Sequence, residues 1–145
     1  MMFRAALAAT AATLSLGGCI TMQGSHPLTG TEWRLTRIEA AGATTALSSA
    51  MQGRHRVAFR EDGALEARLD CNRGRGTWTA GQPRSGAGAI NIGPLASTRM
   101  ACAEPHYGTQ LASALGEARR FALAPGRGEL VIEAPGMRLT FAPAG

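Results

Sequence analysis

Few residues in this chain could carry chemistry. The cysteines are Cys19, Cys71 and Cys102, the histidines are His26, His55 and His106, and the only aspartates are Asp62 and Asp70. All 15 residues of the lysine and arginine class are arginine. Without lysine there is no phosphate-loop lysine, no Schiff base and no Ser–Lys dyad. With two aspartates, a paired-aspartate site or a multi-carboxylate metal cage is not expected. Neither Cys71 nor Cys102 belongs to a Cys-x-x-Cys, and the histidines are scattered, so no metal site is assigned. There is no Gly-x-Ser-x-Gly, and the glycine-rich run at 85–88 lacks a strand–helix setting for phosphate. No catalytic residue and no cofactor is assigned on these grounds.

What remains is polar groups beside two cysteines. Asn72, Arg73 and Arg75 follow Cys71, and Arg99 precedes Cys102. Three always-charged guanidinium groups suit carboxylate or phosphate partners, so these four residues form a candidate binding surface. A structural use competes with it. An Asn before Gly-rich sequence commonly shapes a turn, and Arg99 could pair with a carboxylate or a carbonyl.

The start of the chain reads as an address. Residues 1–4 are basic, and residues 5–16 are uncharged and mostly apolar, too short to span a bilayer and the right length for a secretory signal. The run ends Leu16-Gly17-Gly18-Cys19, which resembles the lipobox of bacterial lipoproteins, where the Cys is acylated and becomes the first residue. Residues 1–18 are therefore expected to leave, with Cys19 as the lipidation site. Ile20 follows rather than Asp, which by analogy with enteric sorting favours the outer membrane, with the domain facing the periplasm. Residues 19–30, rich in Gly, Ser, Thr and Pro, read as a flexible tether, and 31–145 as one domain. Once Cys19 carries lipid, Cys71 and Cys102 are an even pair in an oxidising compartment, which reads as a disulfide. In the chain-entropy model that bridge contributes about 3 to 5 kcal/mol.

Composition fits a small exported domain. Apolar residues make up 45% and charged residues 17%, enough for a core and too little charge for a disordered tail. The 19 glycines and 7 prolines favour short strands and loops over long helices. Net charge is +5, falling to +4 when Arg4 leaves, with no basic run. The export signal argues against nucleic acid as a partner. An anionic envelope component, such as lipid headgroups or lipopolysaccharide, or an envelope protein is the expected partner, besides the membrane that holds the N-terminal lipid.

The elements that must position these residues are mainly strands. Thr31–Ala40 places Trp33 and Leu35 on one face, and Ile38 breaks the alternation as a bend or bulge would. Residues 41–53 read as loop with one possible helical turn. Val57 and Phe59 before Asp62-Gly63, then Leu65, Ala67 and Leu69 after it, predict a hairpin. Further strands are expected at 76–80, 89–93, 121–124, 129–133 and 137–141. One helix is expected, opening at Pro105, with Tyr107, Leu111 and Leu115 on one face and Arg119 and Arg120 in its last turn. A helix on a curved antiparallel sheet follows, an α+β class.

Two motifs then acquire a family context. Asp70-Cys71-Asn72-Arg73-Gly74-Arg75-Gly76-Thr77-Trp78 and Thr98-Arg99-Met100-Ala101-Cys102, with Trp33-Arg34-Leu35 ahead of them, resemble the META domain family of HslJ-like heat-shock lipoproteins. One departure is Gly74, where the family often has an aromatic; Trp78 is the candidate substitute. The resemblance implies a β-rich, barrel-like fold with one main helix, an envelope setting and links to stress. It supplies no catalytic residues. The function expected is a non-enzymatic accessory or stress-related binding lipoprotein in the cell envelope. The alternatives are a small enzyme or enzyme inhibitor acting on an envelope polymer or protease, or a carrier of a small apolar ligand. A cleft with convergent polar groups would favour an enzyme, and an open apolar barrel mouth would favour the carrier.

Overall fold

The computed structural model describes residues 24–145, so the leader, Cys19 and the first part of the expected tether lie outside the described residues. Ten strands and two short helices follow one another. They are β1 (Thr31–Ala40), β2 (Ala43–Ala46), α1 (Ser49–Arg54), β3 (His55–Phe59), β4 (Ala64–Leu69), β5 (Asn72–Ala80), β6 (Ala87–Ile92), β7 (Ala96–Ser97), α2 (Gly108–Gly116), β8 (Arg120–Leu123), β9 (Leu130–Ala134) and β10 (Met137–Pro143).

Eight strands close on themselves in the order β1-β3-β4-β5-β6-β8-β9-β10, with β10 pairing back onto β1. Every pairing is antiparallel. β2 pairs with the far half of β1, and β7 with the first half of β5. The break expected at Ile38 is real. The register of β1 against β10 slips between Leu35 and Arg37, so Leu35 lies opposite Phe141 and Ile38 opposite Leu139, and both face inward.

Alternation along the strands fills the barrel. Trp33, Val57, Phe59, Leu65, Leu69, Ile90, Ile92, Phe121, Ile132 and Phe141 are all buried in one cluster. One mouth is closed by α2. It touches β4, β6, β9 and β10, strands from around the ring, and buries Leu111, Ala114 and Leu115. The opposite mouth is closed by residues 26–30. There Leu28 is fully buried, the Gly30 N–H donates to the Phe59 carbonyl at 2.7 Å, and the His26 ring meets Trp78 and Phe121 edge-on at 5.7 and 5.3 Å. Sequence reading assigns 26–30 to the tether, and the structure corrects this. A single leucine among polar and turn residues shows no period, yet it caps the core.

The helix is shorter than expected. Pro105 lies ahead of it, α2 opens only at Gly108, and Arg119 and Arg120 fall beyond its end. Gly116 and Glu117 end the helix, and Arg120 already belongs to β8, pairing with Glu133 and Ala89. β5 is longer than expected, starting at Asn72, because Gly74 and Gly76 occupy inward positions that alternation would fill with apolar side chains.

Candidate functional site

The two cysteine motifs meet beside the α2 mouth. β4 and β5 are joined by the two-residue turn Asp70–Cys71, with Leu69 opposite Asn72. Asp70 takes φ 64°, a left-handed value that Asp tolerates better than most side chains. Cys71 is bonded to Cys102, with Cα atoms 5.6 Å apart, inside the ordinary disulfide range. The bridge ties the β4–β5 turn to the segment that leads into α2.

Asn72 stitches the same two segments together. Its Oδ1 accepts from the Met100 N–H at 2.7 Å and the Thr98 hydroxyl at 3.0 Å. Its Nδ2 donates to the Met100 carbonyl at 2.9 Å. The Thr98 hydroxyl in turn accepts from the Arg73 N–H at 3.0 Å. Both ends of the Asn72 amide are thus used within the chain, which is a structural role.

Beneath the turn lies a buried polar group. His55 is fully buried, with Nδ1 2.7 Å from the Met51 carbonyl and Nε2 accepting the Tyr107 N–H at 3.1 Å. Burial holds its pKa below the ordinary 6.5, against the Met51 hydrogen bond and the nearby Asp70 charge. Asp70 accepts from Arg54 at 3.2 Å through Oδ1, while Oδ2 is buried with no hydrogen bond, 3.7 Å from His55 Nε2. Sequence reading missed this cluster, since the three histidines show no local pattern.

The four candidate surface residues divide. Arg73 and Arg75 alternate with Gly74 on β5, point outward and line a depression of about 480 Å³ on the sheet's outer face. Arg99 lines a different depression of about 740 Å³ beside the bridge, together with Asn72, Glu104 and His106. The three guanidinium groups therefore do not converge. Instead, Arg73 and Arg75 are joined by Arg56, Arg60 and Arg68, which the sequence reading did not single out. A signal for them existed. The Asp62-Gly63 hairpin fixes the register that places Arg56 opposite Arg68.

This architecture of strands, bridge and helix has known relatives. The META domain family model matches residues 26–145. The chain belongs to the META domain family. A likeness in three dimensions is seen with a protein from Burkholderia xenovorans whose structure was determined by NMR. It is 26% identical, with a TM-score of 0.62 over 81% of this chain and 83% of that one. A DUF4847 family protein from Bacteroides vulgatus, in a crystal structure at 1.00 Å resolution, is 14% identical, with a TM-score of 0.56 over 80% of this chain and 94% of that one, and shows the fold alone. No curated protein matches the sequence significantly. At Gly74, where the META family often has an aromatic, a side chain would press on Leu69 at 3.2 Å. The Trp78 ring does not take that place. It packs edge-on against Phe59 at 5.1 Å, near the mouth closed by residues 26–30.

Proposed function

We propose that this META domain is a non-enzymatic recognition module, held in the bacterial envelope by lipid on Cys19. The observation that carries the reading is the filled barrel with both mouths covered. Recognition then falls to the outer surface, and an apolar carrier would need interior space that side chains such as Trp33, Phe121 and Phe141 occupy. The lipobox-like Leu16-Gly17-Gly18-Cys19 supports the anchor, and the outward arginines support an anionic envelope partner. An accessory role under envelope stress is part of the same proposal, supported by the resemblance to HslJ-like lipoproteins. The test is fractionation with fatty-acid labelling: the unmutated chain labels and sediments with membranes, while Cys19→Ser does neither. A soluble, unlabelled wild-type protein would overturn the anchor. Crosslinking in heat-stressed envelopes then identifies what the surface touches.

A further inference from the structure

Two rows of charged residues cross the outer face of the barrel, and they are built on opposite plans. In the first, Arg120 lies opposite Glu133, Glu133 opposite Arg138, and Arg138 opposite Glu39, so the signs alternate across four strands. In the second, Arg34 lies opposite Arg56, Arg56 opposite Arg68, and Arg68 opposite Arg73. That is one sign throughout, in a register where directly opposed like charges are destabilising.

Of the four, Arg56 alone has a carboxylate partner among the described residues. Arg34 is turned to its neighbours, donating to Gln52 at 3.1 Å and to the Pro143 carbonyl at 3.0 Å. Arg56 has one contact to Glu32 at 3.3 Å, and its Nε is buried without a hydrogen bond. Among the described residues, Arg68 and Arg73 have no carboxylate within salt-bridge distance.

Next to this row the surface is concave. Ala58, short and buried, lies between Glu32 and Glu66 across the strands, and Glu66 holds Arg60 at 2.7 Å and stands 3.8 Å from Arg75. The depression of about 480 Å³ thus carries five guanidinium groups against two carboxylates. Adjacent strands lie about 4.8 Å apart, and alternate residues on a strand about 6.8 Å apart. Several guanidinium groups therefore reach a single ligand from two directions. Arginine presents a planar fork that matches phosphate oxygens two at a time.

We propose that this face is a binding site for a diphosphate or similarly close-set phosphate groups, free or on a lipid headgroup. Arg56, Arg68 and Arg73 form its floor, with Arg60 and Arg75 at its rim. The inference deepens the reading of the chain as a surface-recognition module and rests on it. It does not need the lipid anchor, so binding and fractionation fail separately.

The test uses the full chain in nonionic detergent, titrated calorimetrically with inorganic pyrophosphate, inorganic phosphate, or farnesyl diphosphate held in the micelle. Pyrophosphate binds saturably and more tightly than phosphate. Arg68→Gln with Arg73→Gln weakens it by about tenfold or more, as loss of charged hydrogen bonds implies. Arg120→Gln with Arg138→Gln removes the same formal charge and changes affinity less than about twofold, because those side chains lie outside the depression. Melting of the first double variant stays level or rises, since two opposed like charges have been removed. Tighter binding of farnesyl diphosphate assigns the headgroup source, and equal or weaker binding assigns the free ion. Equal loss in the two double variants means diffuse attraction and overturns the site, as does absence of saturable binding at millimolar pyrophosphate.

Discussion

Nε2 of His55 accepts the main-chain N–H of Tyr107 at 3.1 Å. That donor fixes the imidazole as the neutral form protonated on Nδ1, which donates to the Met51 carbonyl. One ring thus joins α1 to the approach to α2. Protonating Nε2 would abolish its bond with Tyr107 inside a fully buried site.

The pH dependence follows from this. Burial lowers the folded-state pKa of His55 below 6.5, the value expected of the unfolded chain. As pH falls through 6.5 the unfolded state takes up a proton that the native state refuses. The contribution is therefore complete above pH 6.5 and is lost as pH falls from there towards the folded pKa. Thermal melts should show a decline below pH 6.5 that His55→Gln flattens, whatever its melting temperature at pH 7.5. An equal slope in the variant would exclude His55 as the cause.

Gly108 opens α2 directly against the Leu69 carbonyl, where a Cβ would collide with main chain rather than with a flexible side chain. Gly108→Ala should cost about 1 to 3 kcal/mol, the usual range for overpacking. At Gly116, at the other end of the same helix, an added Cβ would meet nothing within 4 Å. Gly116→Ala should be neutral or stabilising by up to about 1 kcal/mol. Urea denaturation of the pair separates close approach from helix propensity.

Asn72 and the disulfide act on the same two segments by different means. Asn72→Ala removes three hydrogen bonds to Thr98 and Met100, a loss of about 1 to 3 kcal/mol. The Met100 amide should then exchange faster with solvent, while strands away from the bridge keep their protection. Reducing the bridge acts through the unfolded chain and should lower global stability by about 3 to 5 kcal/mol. If Asn72→Ala leaves exchange at Met100 unchanged and does not shift stability, its role is not the stitching described.

Leu28 belongs to the folded core, not to a tether. Leu28→Ala should cost about 2 to 5 kcal/mol, as for a leucine in a well-packed core. A tether residue would cost nothing measurable. Equilibrium unfolding decides between the two.

Much of the barrel is legible where alternation is strong. Val57, Phe59, Leu65, Ala67 and Leu69 about Asp62-Gly63 read as a hairpin, and Ile38 betrays the bulge in β1. Legibility fails where an inward position carries no side chain, as at Gly74 and Gly76, or where one residue such as Leu28 caps a mouth without any period. The helix is misread because Ala118, Arg119 and Arg120 continue a helical composition, while pairing of Arg120 with Glu133 draws that stretch into the sheet. The site is split for a related reason. Arg73 and Arg99 are close to the two cysteines along the chain, but side-chain direction on β5 sends Arg73 to the outer face with Arg68, and Arg99 stays beside the bridge. Arg56, Arg68 and Arg73 become neighbours only through strand register, which the chain order conceals.

Closure of the barrel joins its first strand to its last. Until Met137–Pro143 has emerged during synthesis, the stretch of β1 from Trp33 to Ala40 lacks its β10 partner, and Leu35 and Ile38 lack Phe141 and Leu139 opposite them. Loop closure over nearly the whole domain must precede that pairing, so the barrel closes only once its last strand is available. A fragment that stops short of β10 would expose an open strand edge and should aggregate with its own copies.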